Sequence, residues 1–487
     1  MGNKRRHSTS TSAAAEDGVS DAHATETEAL ADIHLPKDSS WEATDRHYAQ
    51  LYNRAPDFKE LARLDPEFKA VTKGRELNFN DPKSVMQLTK TLLKLDFGLE
   101  IELVDDRLCP PVANRHNYIL WLKALTDTTS YDKPPRSLAG LDIGTGASCI
   151  YPLLGATQRP WSFIGTDIDD RSLTYARRNV ALNGLEGRIS LLKRDPGEKL
   201  IPDEAVAVPA TFVMTNPPFY CDEAEMLRGA GEKKRPPFSA CTGSATEMVA
   251  EGGEVAFVER ILAESLVLRD RIQWYTAMLG FLSSVSSVVG KLREHGISNY
   301  AVTEFVQGNK TRRWAVGWSF APLRPEMSVA RGLRSQAGRS VLPAPSEATV
   351  VKFPRPPLPS SSIGAFADRF ATVVGELELA GWTWDRECME GSGRAADRVW
   401  GRAWRRRRQR EMKTGVEEKW HDNEGKDSGQ EGKEQAMFGF KVWVRVGEAV
   451  SVGCRWVEGY DLAEFESFQG YLKTTAETAY AAAVGDK

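Results

Sequence analysis

Between residues 100 and 320, short apolar runs that each end in a glycine or polar turn alternate with helical stretches, and this alternation constrains the chain more than any other feature. The runs are Ser137–Gly144, Trp161–Asp167, Arg188–Lys193 and Ala210–Thr215, and the clearest helical stretch is Asp170–Asn183, with Leu173, Ala176 and Val180 on one stripe. Strands alternating with helices pair in parallel, because right-handed crossovers return each strand beside its neighbour and cover both faces of the sheet. The predicted fold class is therefore an open α/β layer. Farther along, Val255–Leu268 and Gln273–Phe281 read as helices, and Tyr300–Val306 with Arg313–Phe320 as a closing strand pair.

The 487 residues exceed what one such layer needs, and at ~150 residues per domain they predict two or three domains. Residues 1–40 are Ser, Thr, Ala and acidic residues that cannot bury enough surface to offset chain entropy, so a disordered tail is expected. Residues 41–99 show short amphipathic helices, one of them opened by Asn80-Asp81-Pro82, where an acidic cap precedes a proline that needs no amide partner. Residues 321–361 are rich in Pro, Ser and Arg, and the run Pro354–Pro359 favours an extended linker. Beyond it, a helix (Ile363–Leu379), a strand (Gly381–Arg386), a hairpin about Gly447-Glu448 and a last helix (Leu462–Thr475) predict a small α+β domain over 362–480. That domain is interrupted by a charged, disordered insertion at about 402–435.

Composition excludes several classes. The formal net charge is -3, so any polyanion-binding surface must be local. No run approaches the ~20 apolar residues of a membrane span, and the polar start is unlike a signal peptide; a soluble intracellular protein without membrane partners is expected. The six cysteines form no CxxC pair, which predicts reduced thiols and no metal site.

Two turns carry chemistry. Asp142-Ile-Gly-Thr-Gly-Ala-Ser148 follows the first strand, where glycines allow a sharp turn and close approach of a ligand. A dinucleotide fingerprint would want glycine at Cys149, so a nicotinamide cofactor is disfavoured. The second strand ends in Asp167, placed to accept hydrogen bonds from ribose hydroxyls; a tight turn followed by a helix cap is the plainer alternative. The other turn, Asn216-Pro-Pro-Phe219, follows the fourth strand. The Asn216 side-chain oxygen and the Pro217 carbonyl can accept both N–H bonds of a planar amine, the consecutive prolines hold those acceptors still, and Phe219 offers a face on which a base can stack.

With these motifs in view, the chain resembles class I S-adenosylmethionine-dependent methyltransferases acting on adenine N6. It is most similar to the methyltransferase-like family that modifies U6 small nuclear RNA, itself related to bacterial ribosomal-RNA adenine methyltransferases. Pro56-Asp-Phe58, Leu77–Pro82, Asp96–Leu99, Asn117-Tyr-Ile119, Cys149–Ala156 and Thr303-Glu-Phe305 extend the match over about residues 45–320. The resemblance implies a Rossmann-like sheet, a helical module at 41–99 that binds RNA, and a methyltransferase domain over 100–320. It also implies the cofactor S-adenosyl-L-methionine, with contacts at Arg115 (to the cofactor carboxylate), Gly144, Gly146, Ser148, Asp167 and Asn216. The catalytic pocket it implies is Asn216, Pro217, Pro218 and Phe219. This chain has Asp167 where relatives tend to carry Glu, and its Asp195–Lys199 loop diverges. Asp195 either meets the cofactor adenine or caps a turn, and Lys199 is a candidate gate.

Lys233, Lys234 and Arg235, in the long loop after the catalytic turn, and Lys310, Arg312 and Arg313, before the last strand, are the candidate RNA contacts; a solvated surface charge run is the plainer reading of the first group. Trp404–Arg410 and Lys4-Arg5-Arg6 suit either RNA binding or nuclear import. The expected reaction is displacement of the sulfonium methyl by adenine N6, with Asn216 and Pro217 drawing the amine toward tetrahedral geometry and no metal required. Because a stacked base is inaccessible, the expected substrate is an unpaired adenine in structured RNA, U6 in particular, giving N6-methyladenosine. The expected protein is a monomer residing in the nucleus, with the cytoplasm as a second compartment. The competing readings are methylation of a protein glutamine, whose carboxamide the same turn can grip, and a noncatalytic RNA-binding scaffold.

Overall fold

The computed structural model describes residues 40–485 except 75, 209, 219, 222–244, 308–310, 334–335, 355–359 and 415–436. The expected disordered tail lies almost wholly outside them. The chain enters through helices α1 (Trp41–Gln50), α2 (Phe58–Leu64) and α3 (Pro66–Val71), then a short hairpin, β1 (Thr72–Lys73) and β2 (Glu76–Leu77). Helix α4 (Pro82–Phe97) starts at the expected step. The Asp81 side chain accepts from the Lys83 and Ser84 amides, and Gly98, with φ of 64°, ends the helix in the left-handed region.

This helical module is not a separate domain. Its Tyr48, Phe68, Leu93 and Phe97 share one core with Tyr118 of α5 (Val112–Thr128) and with Leu153 and Phe212 of the following layer. Buried Arg159 also ties Asp45 of α1 to Asp127 of α5, the latter at 2.8 Å. The boundary near residue 99 marks only the end of α4: helix α5 follows before the first strand of the layer at Ala139, and the module's apolar faces pack into the core of that layer.

The layer continues through β3 (Ala139–Ile143), α6 (Ile150–Gln158), β4 (Ser162–Asp167), α7 (Asp170–Leu182), β5 (Ile189–Lys193), α8 (Asp203–Ala207) and β6 (Phe212–Thr215). Then come α9 (Ala245–Met248), α10 (Gly253–Leu268), β7 (Trp274–Leu279), α11 (Leu282–Glu294), β8 (Tyr300–Gln307) and β9 (Thr311–Trp318). With β10 (Arg331–Gly332) they form one sheet in the order β10-β8-β9-β7-β6-β3-β4-β5. Strands β3 to β7 are parallel, and β9 runs against both β7 and β8. The α/β class is as expected. The helix expected over Gln273–Phe281 is instead β7, all six residues of which are buried. A strand covered on both faces presents a continuous apolar run, and such a run has no stripe by which periodicity could tell it from a buried helix.

Residues 321–361 are not simply a linker. They contribute α12 (Met327–Ala330), the edge strand β10 and β11 (Glu347–Pro354), while 334–335 and 355–359, the latter within the Pro-rich run, lie outside the described residues. Strand β11 opens an antiparallel sheet ordered β11-β15-β14-β13-β12, made with β12 (Gly381–Asp385), β13 (Glu390–Ala395), β14 (Phe438–Val446) and β15 (Ala449–Glu458). Helices α13 (Ser360–Gly375) and α15 (Leu462–Gly485) complete its core, with Phe366, Phe370, Phe440 and Phe468 fully buried. Strand β13 has little sequence signature because its glycines make room for neighbouring rings: a Cβ at Gly393 would stand 2.5 Å from Phe440. The insertion expected to be disordered from 402 begins as helix α14 (Arg402–Thr414), since arginine is a good helix former and Trp404 packs against Arg407, whose guanidinium lies 4.2 Å from the ring centroid. Two buried arginines dock the two sheets. Arg455 reaches Glu326 (2.8 Å) and the Thr128 carbonyl (3.0 Å), while Arg324 lies 3.6 Å over the Trp456 ring.

Candidate functional site

The two signature turns meet because of strand order. Strands β3 and β6 are neighbours, with Ile143 opposite Thr215, so Gly144 and Asn216 leave adjacent strand tips at the carboxyl edge of the sheet. The Thr215 hydroxyl donates to the Ile143 carbonyl at 2.8 Å and fastens the tips together. Chain order reverses here, since β3 continues toward β4 on one side and pairs with β6 on the other, and open α/β sheets place ligand crevices at such points.

Gly144 and Gly146 adopt φ of 74° and 65°, in the region that favours glycine, and a Cβ at Gly144 would meet open space. The turn is pinned by the Gly144 and Thr145 amides, both donating to the Thr166 carbonyl at 2.9 Å, and by the Gly146 amide, donating to Asp167 Oδ2 at 2.9 Å. Asp167 Oδ1 accepts from the Asp169 amide, and burial raises the Asp167 carboxyl above its ordinary value. Ser148 is buried at the end of the turn, before Cys149, whose φ of 50° launches α6.

On the β6 side Pro217 is buried, and Asn216 and Pro218 are half-buried. Phe219 lies outside the described residues. Arg115, buried on α5, reaches across the crevice, its Nη1 donating to Tyr151 Oη at 2.8 Å and to Asn216 Oδ1 at 3.0 Å. The structure thus brings together Arg115, Gly144, Gly146, Ser148, Asp167, Asn216, Pro217 and Pro218. Asp195 is exposed beyond β5; its amide donates to Glu198 and its carbonyl accepts from the Glu198 amide, so its backbone closes a turn. Lys199 is exposed, 3.4 Å from Asp203.

The basic candidates separate. Lys233, Lys234, Arg235 and Lys310 lie outside the described residues. Arg312 is exposed, 3.5 Å from Glu304. Arg313 faces the other side of β9 and is half-buried, where burial lowers its pKa and the nearby charges are Arg115 and Glu254. The two arginines read as one surface patch in sequence; successive residues of a strand point to opposite faces, and only Arg312 is on the surface.

Three residues beside these turns were given no role from sequence, although Asp142 stands in the first motif and Tyr151 in the matched Cys149–Ala156 run. Asp142 is fully buried in β3 with no partner at full hydrogen-bond geometry for either carboxylate oxygen, and burial, only partly offset by the Thr145 hydroxyl, pushes its carboxyl up to about 7. Tyr151 is buried on α6 and accepts from Arg115. Glu247 of α9 accepts from the Leu108 amide at 3.0 Å, and its Oε1 is 3.7 Å from where a Gly146 Cβ would stand, so the return of the long loop packs against the glycine turn. An unsatisfied acid, an open left-handed glycine turn and a donor-only arginine fit a small ligand that carries an ammonium, hydroxyls and a carboxylate, as S-adenosylmethionine does.

A sheet in this order with a glycine turn and an Asn-Pro-Pro turn on adjacent tips defines a class I methyltransferase fold. The model of the RNA methyltransferase family matches residues 39–322, and the chain belongs to that family. It is 44% identical over 263 residues to the U6 small nuclear RNA (adenine-(43)-N(6))-methyltransferase of Schizosaccharomyces pombe, covering 54% of this chain and 67% of that protein. It is also 44% identical to the RNA N(6)-adenosine-methyltransferase METTL16 of Mus musculus, covering 55% of this chain and 50% of that one. The match thus takes in about half of the mouse relative. Among solved structures, the human Mettl16 catalytic domain in complex with a MAT2A 3'UTR hairpin superposes with a TM-score of 0.51 at 42% identity, over 55% of this chain and 92% of that chain.

Proposed function

We propose that the protein is an S-adenosylmethionine-dependent RNA adenine-N6 methyltransferase. The observation that carries the reading is the juxtaposition of an acceptor-bearing Asn216-Pro-Pro turn and an open glycine turn on paired strand tips. Arg115, Gly144, Gly146, Ser148 and Asp167 would hold the cofactor, which when bound supplies an electrophilic methyl on a sulfonium. Asn216 Oδ1 and the Pro217 carbonyl accept the two N6–H bonds of adenine. They align its nitrogen and stabilise the positive charge that develops there, and most of the rate comes from this positioning. The group displaced from the methyl would be a neutral thioether, a good leaving group, and the methylated nitrogen would give its extra proton to water, so the reading calls for no metal.

The relatives' names support structured RNA as substrate, with an unpaired adenine of U6 small nuclear RNA first among candidates. The protein acts as a monomer on this reading, and its short basic runs suit the nucleus. The test is incubation with labelled cofactor and either total RNA or a protein extract. Wild type labels RNA. Asn216→Ala keeps cofactor binding by calorimetry and loses about 100-fold or more of the transfer rate, as expected for removing a charge-stabilising contact. Label confined to protein would favour glutamine methylation instead, and an Asn216→Ala variant with near-native transfer would remove the mechanism.

A further inference from the structure

The three contacts of the Arg115 guanidinium, to Tyr151 Oη at 2.8 Å, Asn216 Oδ1 at 3.0 Å and Met278 Sδ at 3.2 Å, all come from the one nitrogen Nη1. From this geometry we infer that Arg115 is the positioning residue of Asn216: it fixes which end of the carboxamide faces the substrate amine, and so couples the glycine turn to the acceptor turn. The inference deepens the methyltransferase reading and rests on it.

The argument is one of donor and acceptor inventory. An asparagine amide has an oxygen and a nitrogen of nearly equal size, and its two flipped orientations fill the same space. If Nδ2 pointed toward the crevice, it would meet the adenine N6–H bonds donor against donor. Arginine has no acceptor, so whatever faces Nη1 must be Oδ1. A carbonyl oxygen has two lone pairs. One is engaged by Arg115, and the other remains for the substrate amine.

Tyr151 fixes Arg115 in turn. It is buried on α6, the helix launched by the glycine turn, and its ring centroid lies 5.3 Å from the guanidinium carbon. A continuous path therefore runs from the glycine turn through Tyr151 and Arg115 to Asn216, joining two strand tips whose chemistry must be in register. Because Nη1 carries these contacts, Nη2 and Nε are left for the cofactor carboxylate, so one side chain can serve both ligands at once.

Arg115→Lys separates the two roles. Lysine keeps the positive charge but lacks the rigid fork that can bridge two acceptors while binding a third. With an RNA hairpin substrate, its cofactor dissociation constant by calorimetry rises with the loss of the fork, and turnover at saturating cofactor, where that weaker binding no longer counts, falls at least tenfold as well. Tyr151→Phe, which deletes only the hydroxyl, gives a smaller fall in the same quantity. A raised cofactor KM with turnover retained would make Arg115 a cofactor ligand alone and overturn the inference. If wild type transfers no methyl to RNA, the functional reading fails. The positioning claim is then decided by a neutron crystal structure of Arg115→Lys, which tells Oδ1 from Nδ2: the Asn216 amide must flip or turn away, and an Oδ1 still on its wild-type side would refute it.

Discussion

Asp142 makes the stability of this protein depend on pH in a direction opposite to most carboxylates. Its side chain is fully buried, neither oxygen has a partner at full hydrogen-bond geometry among the described residues, and burial, only partly offset by the nearby Thr145 hydroxyl, raises its carboxyl from an ordinary 3.8 to about 7. Below pH 4 the group is protonated in both folded and unfolded chains and contributes nothing. Between about pH 4 and 7 the folded protein keeps the proton that the unfolded chain has lost, so stability falls as pH rises. Above pH 7 both forms are ionised and the loss is complete. A window about 3 pH units wide, at ~1.4 kcal/mol per unit, amounts to a loss on the order of 4 kcal/mol. Asp142→Asn removes the titration and keeps the shape. Any cost of burying an amide in its place is independent of pH and cancels when the difference between the two proteins is followed across pH. Urea unfolding of cofactor-free wild type and Asp142→Asn at pH 5, 6, 7 and 8 should show the variant gaining on wild type with each step up to about 7 and holding level beyond. A difference that stays flat from pH 5 to 8 would refute the reasoning, since it would mean that Asp142 is solvated or paired.

Gly140, in the middle of β3, has no room for a side chain: a Cβ there would stand 2.5 Å from Phe212 and 2.9 Å from Phe163. Gly140→Ala should cost about 1–3 kcal/mol by overpacking, read as a lower urea midpoint, and an unchanged midpoint would count against the packing described. Arg455→Met removes the hydrogen bonds that dock the C-terminal sheet on Glu326 and the Thr128 and Arg324 carbonyls. Limited proteolysis should then cut within 321–346 faster than in wild type while both sheets persist, and an unaltered cleavage pattern would show that the arginine does not hold the interface.

What could be read from the chain, and what could not, follows from where each residue's partners lie. Gly144 and Asn216 were legible because each ends a strand, where a glycine or a rigid polar turn has few structural uses. Arg115 acts on Asn216 across 101 residues of chain, and no local pattern on α5 marks it; only family resemblance singled it out. Asp142 stands in the first motif, but its burial does not show in the letters, because it follows from the strand being covered on both faces. Arg312 and Arg313 were adjacent letters on opposite faces of one strand. Strand β7 has the pattern of a helix, and β13 has almost no strand pattern, for related reasons: burial on both faces erases alternation in the first, and glycines that admit neighbouring rings erase side chains in the second.

The site depends on backbone register as much as on side-chain identity. Neighbouring strands stand about 4.8 Å apart, so groups one residue beyond a paired position are separated by little more than one strand spacing. Ile143 pairs with Thr215, which puts Gly144 and Asn216 at that separation. Sliding β6 by a single residue would turn its side chains to the opposite face of the sheet and take the carboxamide away from Arg115. The Thr215 hydroxyl on the Ile143 carbonyl, the four buried residues of β6 and the proline pair after it oppose that slip from three directions. Two consecutive prolines are costly inside a parallel sheet because they donate no ladder bonds. They stand here beyond Asn216, one residue past the last paired position Thr215, where no ladder bond is wanted and a fixed φ keeps the Pro217 carbonyl beside Asn216.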